Sequence, residues 1–124
     1  MKIEVSNGEI VDKYTILKIK LKNSTPFSQK YFNILEEYNI LKEVIEKIKI
    51  DNDSVQELYE VNGQLWDIED KIRVFEKEKK FNEDFIELAR SVYIINDKRF
   101  QLKNKINNLT DSQIKEEKIL PNYN

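Results

Sequence analysis

Apolar residues recur along this chain in alternating steps of three and four, the spacing that keeps one face of a helix against another helix. From Phe27 one seam runs Tyr31, Ile34, Tyr38, Leu41, Ile45, Ile48. A second runs Leu58, Val61, Leu65, Ile68, Ile72, Phe75, and a third Phe85, Leu88, Val92, Ile95, Arg99, Leu102, Ile106, Leu109. A shorter one reads Ile10, Tyr14, Leu17, Leu21. The pattern predicts helices near 8–22, 27–50, 54–79 and 83–108, together roughly two-thirds of the chain or more. Their short connections favour antiparallel neighbours. The expected fold is all-α: an antiparallel bundle of four helices, three long and one shorter and N-terminal, with coiled-coil-like packing and short extended arms at the termini.

The punctuation agrees. Ser6-Asn7-Gly8-Glu9 reads as a capping box, in which the Ser hydroxyl takes an early helix N–H. Thr25-Pro26 offers a cap followed by a first-turn proline. Ser54 with Glu57 makes another capping box, and Asn82 caps the last helix ahead of Glu83 and Asp84. Lys2-Ile3-Glu4-Val5 alternates like a strand and is expected as an arm pairing with Lys118-Ile119-Leu120. The organisation is then one helical domain over 1–124: an arm at 1–6, the bundle at 7–109 and a polar tail at 110–124.

With 124 residues there is room for one such domain. There is no Cys and no His, which removes disulfides, thiol nucleophiles and the usual neutral-pH proton shuttle. The formal charge of −2 spreads 21 basic and 23 acidic residues without a basic block, so a nucleic-acid partner is not expected. The longest apolar run, Val92-Tyr93-Ile94-Ile95, is far too short for a membrane span. No secretory signal opens the chain, and a cytoplasmic setting is expected, the host cytoplasm if the source is viral.

Three stretches are distinctive: Lys2-Ile-Glu-Val-Ser-Asn-Gly-Glu-Ile-Val-Asp-Lys13, Leu65-Trp-Asp-Ile-Glu-Asp-Lys-Ile-Arg73, and Phe85-Ile-Glu-Leu-Ala-Arg-Ser-Val-Tyr93 continuing to Asn96-Asp-Lys-Arg99. In them the chain resembles an uncharacterised family of small bacterial and phage helical domains of unknown function. The resemblance spans nearly the full length, departs most between Asn23 and Ser54, and implies almost nothing about activity. Some family members are encoded among cell-surface polysaccharide genes, an association and no more.

Arg99 is the most informative single residue, because a guanidinium on a helical seam has to meet a carboxylate or carbonyl. Folding the first helix back at Asn23–Pro26 puts Glu9, Asp12 and Lys13 at the height of Trp66, Asn96, Asp97 and Arg99. Those seven residues are the candidate ligand site, with Arg99 gripping an anion and Trp66 offering a stacking face. The structural reading of the same cluster is an internal ion pair from Arg99 to Asp12 or Glu9, and a Trp66 that packs between helices. The same folding sets Phe75 opposite Phe85 and Tyr38 opposite Leu65. Arg73 is expected to pair with Glu69, and Arg90 with Glu87 or Glu83.

Carboxylates spaced three apart are plentiful, Asp67/Asp70 foremost, but such spacings arise by chance in a chain this acidic, and neither a metal nor a catalytic residue is expected. No cofactor is expected. The leading expectation is a non-catalytic helical module that self-associates, as a dimer, or docks on another protein. The alternative is a small enzyme or ligand-binding domain working through the cluster around Asp12, Trp66 and Arg99, linked to surface-polysaccharide or nucleotide metabolism.

Overall fold

A computed structural model describes residues 1–123. Four helices make up 73% of the chain, and no strand occurs among the described residues. They are α1 (Asn7–Asn23), α2 (Gln29–Lys47), α3 (Asn52–Glu78) and α4 (Glu83–Leu109).

Two of the four helix starts follow local chemistry different from the expectation. α1 is capped by Ser6, whose hydroxyl accepts the Glu9 N–H as predicted. For α2 the cap is Ser28 rather than Thr25, because Phe27 takes a left-handed turn (φ 63°) that delays the helix. Ser54 is not a cap: Asp51 caps α3 with its carboxylate, and Ser54 sits buried in the first turn, bonded back to Asp51. Asn82 caps α4 as expected. The turn between α3 and α4 closes on Lys79, a left-handed residue whose N–H returns to the Glu76 carbonyl.

The sequence predicts α1 as an appendage to three long helices, and the structure makes it the hub. It packs against each of the other three, while α2 approaches the backbone of α1 alone. Tyr38 therefore does not face Leu65. It stacks on Tyr14 with ring centroids 5.2 Å apart and their hydroxyls 3.3 Å apart. α3 and α4 form a hairpin running in opposite directions, since Phe75 meets Phe85 at one end and Glu57 meets Lys105 at the other. α1 lies on the lower half of this hairpin.

Where three helices overlap there is an interior, and the core is confined to that region. Val11, Leu58 and Ile106 form its centre, with Ile45, Ile50, Val55 and Leu102 packed around them. Leu17, Ile19 and Val61 complete the buried apolar set. Beyond the reach of α1 the hairpin continues as two helices with no third layer, and no residue from Gly63 to Leu102 is buried. α2 likewise buries none of its residues.

The terminal arms do not pair as strands. Residues 1–5 are exposed, and 118–120 lie elsewhere, along α4. The polar tail is a strap: Ser112 is buried, Glu116 meets Lys103, Lys118 reaches Asp97 and covers the Phe100 ring, and Tyr123 bonds Asp97 and packs on Tyr93.

Candidate functional site

The polar residues of α4 that face α1 recur every fourth position, Arg99, Lys103 and Asn107, which lines them up on one side of the helix. Opposite them α1 presents Asp12, Glu9 and Gly8. Each rung of this ladder is bonded. Asn107 is fully buried and its Oδ1 accepts the Gly8 N–H at 2.6 Å. Gly8 is required there, because a Cβ would come within 2.5 Å of the Lys103 carbonyl oxygen and 2.9 Å of Asn107 Oδ1.

One turn along, the Lys103 ammonium, with only 8% of its side chain exposed, lies 2.7 Å from Glu9 and 2.7 Å from Glu116 of the strap. Burial alone would lower its pKa. Its close contacts with the Glu116 and Glu9 carboxylates and the charges of Asp12 and Glu9 outweigh that, leaving it raised.

At the third rung Arg99 grips Asp12 with two donors. Nε donates to Oδ1 at 2.8 Å and Nη2 donates to Oδ2. Asp12 is 1% exposed and also accepts from Asn62 Nδ2 at 2.9 Å; the same amide donates to the Thr15 hydroxyl. The hydrogen bond to Asp12, opposed by partial burial, raises the Arg99 pKa further. The structure thus pairs Arg99 with Asp12, and Glu9 goes to Lys103 instead.

The seven candidate residues do not form one site. Asp12, Trp66, Asn96 and Arg99 are neighbours: the last three line an open cleft of about 300 Å³ with Ile16, Asn62, Leu65, Glu69, Asp70 and Arg73. Arg99 keeps its Nη1 edge toward that cleft, 3.5 Å from Asn96 Oδ1. Glu9 is engaged by Lys103. Lys13 points the other way, to Glu37 on α2 at 3.7 Å. Asp97 belongs to the strap, holding Tyr123 and Lys118. Arg73 pairs with Glu69 at 3.5 Å and Arg90 with Glu87 at 3.0 Å, the ordinary surface bridges that spacing predicts.

Acidic residues are similarly dispersed. Asp67 and Asp70 are exposed on α3, while Asp12 and Glu9 are each held by a cation. Among the described residues no three Asp or Glu side chains converge to hold a metal ion. Lys103, Asn62, Asn107 and Glu116 carry much of the polar network and were missed as candidates. The signal for two of them was available: the four-residue spacing Arg99, Lys103, Asn107 marks a polar stripe beside the seam.

Among the described residues no helix is long and apolar enough to cross a membrane. The chain belongs to a Family of unknown function, DUF6165, whose model matches residues 1–123. No curated protein and no solved structure matches it.

Proposed function

Starting from a family to which no function is attached, we propose that this chain is a non-catalytic helical docking module whose working surface is the upper half of the α3/α4 hairpin. One observation carries the reading. Two helices side by side have no interior, so each seam residue can be covered on one side only, and the hairpin above α1 leaves its apolar residues half open. The seam residues Ile68, Ile72, Phe75, Phe85, Leu88, Val92 and Ile95 are all half-buried, and off the seam Val74, Phe81, Ile86, Tyr93 and Ile94 are 54, 55, 44, 48 and 46% exposed. Total accessible surface is 9083 Å², against about 7000 Å² expected for a compact monomer of this mass. Exposed apolar side chains in this number support an interaction surface. The polar ladder below supports the same reading, since it fixes how α1 seats on the hairpin. A cytoplasmic setting without a nucleic-acid partner fits the cysteine-free, charge-mixed composition.

The test uses an environment-sensitive hydrophobic dye on the dilute chain. Dye emission is expected to fall at least several-fold in Ile86→Gln/Tyr93→Gln, with helicity retained by circular dichroism. Unchanged dye binding in that variant overturns the reading.

A second reading rests on the cleft beside Trp66, which Arg99 lines together with its hydrogen-bond partner Asn96. It supports a small-ligand site. A thermal-shift screen against nucleotides, nucleotide sugars and dicarboxylates tests it, because a ligand at ~100 times its dissociation constant adds about 2.7 kcal/mol. No shift with any class, or a shift unaltered in Trp66→Ala, rejects the site.

A further inference from the structure

Opposite its seam, α4 carries a second run in steps of four and three: Ile86, Arg90, Tyr93, Asp97 and Phe100. That spacing keeps all five on one face, and the face opposite a packed seam ordinarily belongs to solvent. Ile86, Arg90 and Tyr93 are exposed accordingly. Asp97 and Phe100 are half-buried instead, and what lies over them is the chain's own tail. Tyr123 donates to Asp97 Oδ2 and packs on Tyr93, with ring centroids 5.6 Å apart. Lys118 Nζ lies 3.9 Å from Asp97 Oδ1 and 5.5 Å from the centre of the Phe100 ring.

The tail is fixed at its root and lightly held beyond it. Ser112 is buried; its N–H returns to the Asn107 carbonyl at 2.8 Å, and its hydroxyl accepts the Asn7 N–H at 3.0 Å. From Lys115 to Pro121, by contrast, no backbone group makes a hydrogen bond among the described residues. The apolar side chains of this arm gain little cover, Ile119 being 98% and Leu120 59% exposed. Between the arm and α4 runs an open groove of about 640 Å³, lined among others by Ile94, Asp97, Phe100, Leu120 and Tyr123. The arm therefore touches α4 through the ends of Glu116, Lys118 and Tyr123 and leaves the space beneath it unfilled.

Resting on the docking reading above, we infer that this arm, residues 115–123, is a releasable cover of the docking surface. Seated, it masks the lower half of the α4 stripe, and the partner of the hairpin docks by taking its place. Once the arm is off, Ile86, Tyr93 and Phe100 present an apolar side chain at every seventh position, over about 21 Å of helix. A tethered occupant acts at an effective concentration of about millimolar, so a free partner has to fit the stripe better than the arm does. The unfilled groove and the exposed Ile119 and Leu120 leave room for that. Because Ser112 holds the root, the released arm stays beside the site and can close again.

The test uses the full chain at dilution and an uncharged dye of the kind described above. Asp97→Ser frees Lys118 and Tyr123 together and leaves the arm's own sequence intact. Lys118→Ser/Tyr123→Ser frees it from the other side. Proteolysis follows the population of the open form, so both variants should be cut by trypsin at Lys115 several-fold faster than the parent. Dye emission should rise about twofold in both as the lower stripe opens, with helicity by circular dichroism unchanged. Adding Phe100→Gln should remove the rise in emission and leave the faster cleavage. Unless both variants are cut faster, these contacts do not hold the arm and the inference fails. Faster cutting with unchanged emission, or a rise that survives Phe100→Gln, shows that the arm covers no docking surface and overturns it equally. The docking reading is judged apart from this, by the dye lost from Ile86→Gln/Tyr93→Gln with the arm in place, and it stands or falls there.

Discussion

Arg99→Met is the most telling perturbation of the polar ladder, because the side chain keeps its reach and loses its charge. In the native chain both Asp12 oxygens are held by the guanidinium, and only Oδ1 has a second donor, Asn62. Asp12 is 1% exposed, so water cannot replace what is removed. Breaking a buried pair from one side costs about 3–5 kcal/mol, most of it the stranded charge. Arg99 is 30% exposed at the cleft, and water reaching in from there places the expected loss near the lower end, about 3 kcal/mol. Against a total stability of about 5–15 kcal/mol, that is a large fraction. Asp12→Asn added to Arg99→Met replaces the stranded carboxylate by a neutral amide, and the double variant should be more stable than Arg99→Met alone. Urea unfolding of the parent, both single variants and the double variant closes the cycle, provided the m-value holds. The coupling expected is about 1.5–3 kcal/mol. Additivity within about 0.5 kcal/mol would mean Asp12 does not depend on Arg99, and the seating of α1 on α4 would have to be redrawn.

Gly8→Ala should destabilise by about 2 kcal/mol in the same assay, because the new methyl meets the Lys103 carbonyl and Asn107 before any flexible group can yield. Glu116→Gln leaves Lys103 with Glu9 as its one carboxylate partner; a loss of about 1–2 kcal/mol is expected, together with faster trypsin cleavage at Lys115 and Lys118 as the strap loosens. Stability should also fall in alkali. Burial, helped by the hydrogen bond and charge of Tyr38, pushes the Tyr14 pKa from 10.0 up to about 12. A phenol that holds its proton more tightly when folded stabilises fully below its unfolded pKa and loses that contribution as pH rises from 10 toward 12. Tyr14→Phe should flatten that part of the stability–pH profile, and an unchanged profile would show that the Tyr14–Tyr38 pair is not its source.

Helix number, order and approximate ends were readable from the chain because each depends on residues close in sequence. The three-and-four spacing of the seams, the Ser6 and Asn82 caps and the Lys79–Asn82 turn are local, and the structure keeps them. So was the need of Arg99 for a carboxylate, since a seam position dictates burial wherever the partner comes from. What the chain could not declare was which helices share an interior. A half-buried seam and a fully buried one have the same spacing, so the seams of α2 and the upper hairpin looked like core and are only half-buried. Only the tertiary structure made the short α1 the hub, turned Tyr38 onto Tyr14, gave Glu9 to Lys103 and laid the tail along α4. Each of these is a choice among partners far apart in sequence, settled by which backbone can approach most closely; at Gly8 the approach is close enough to exclude a methyl group.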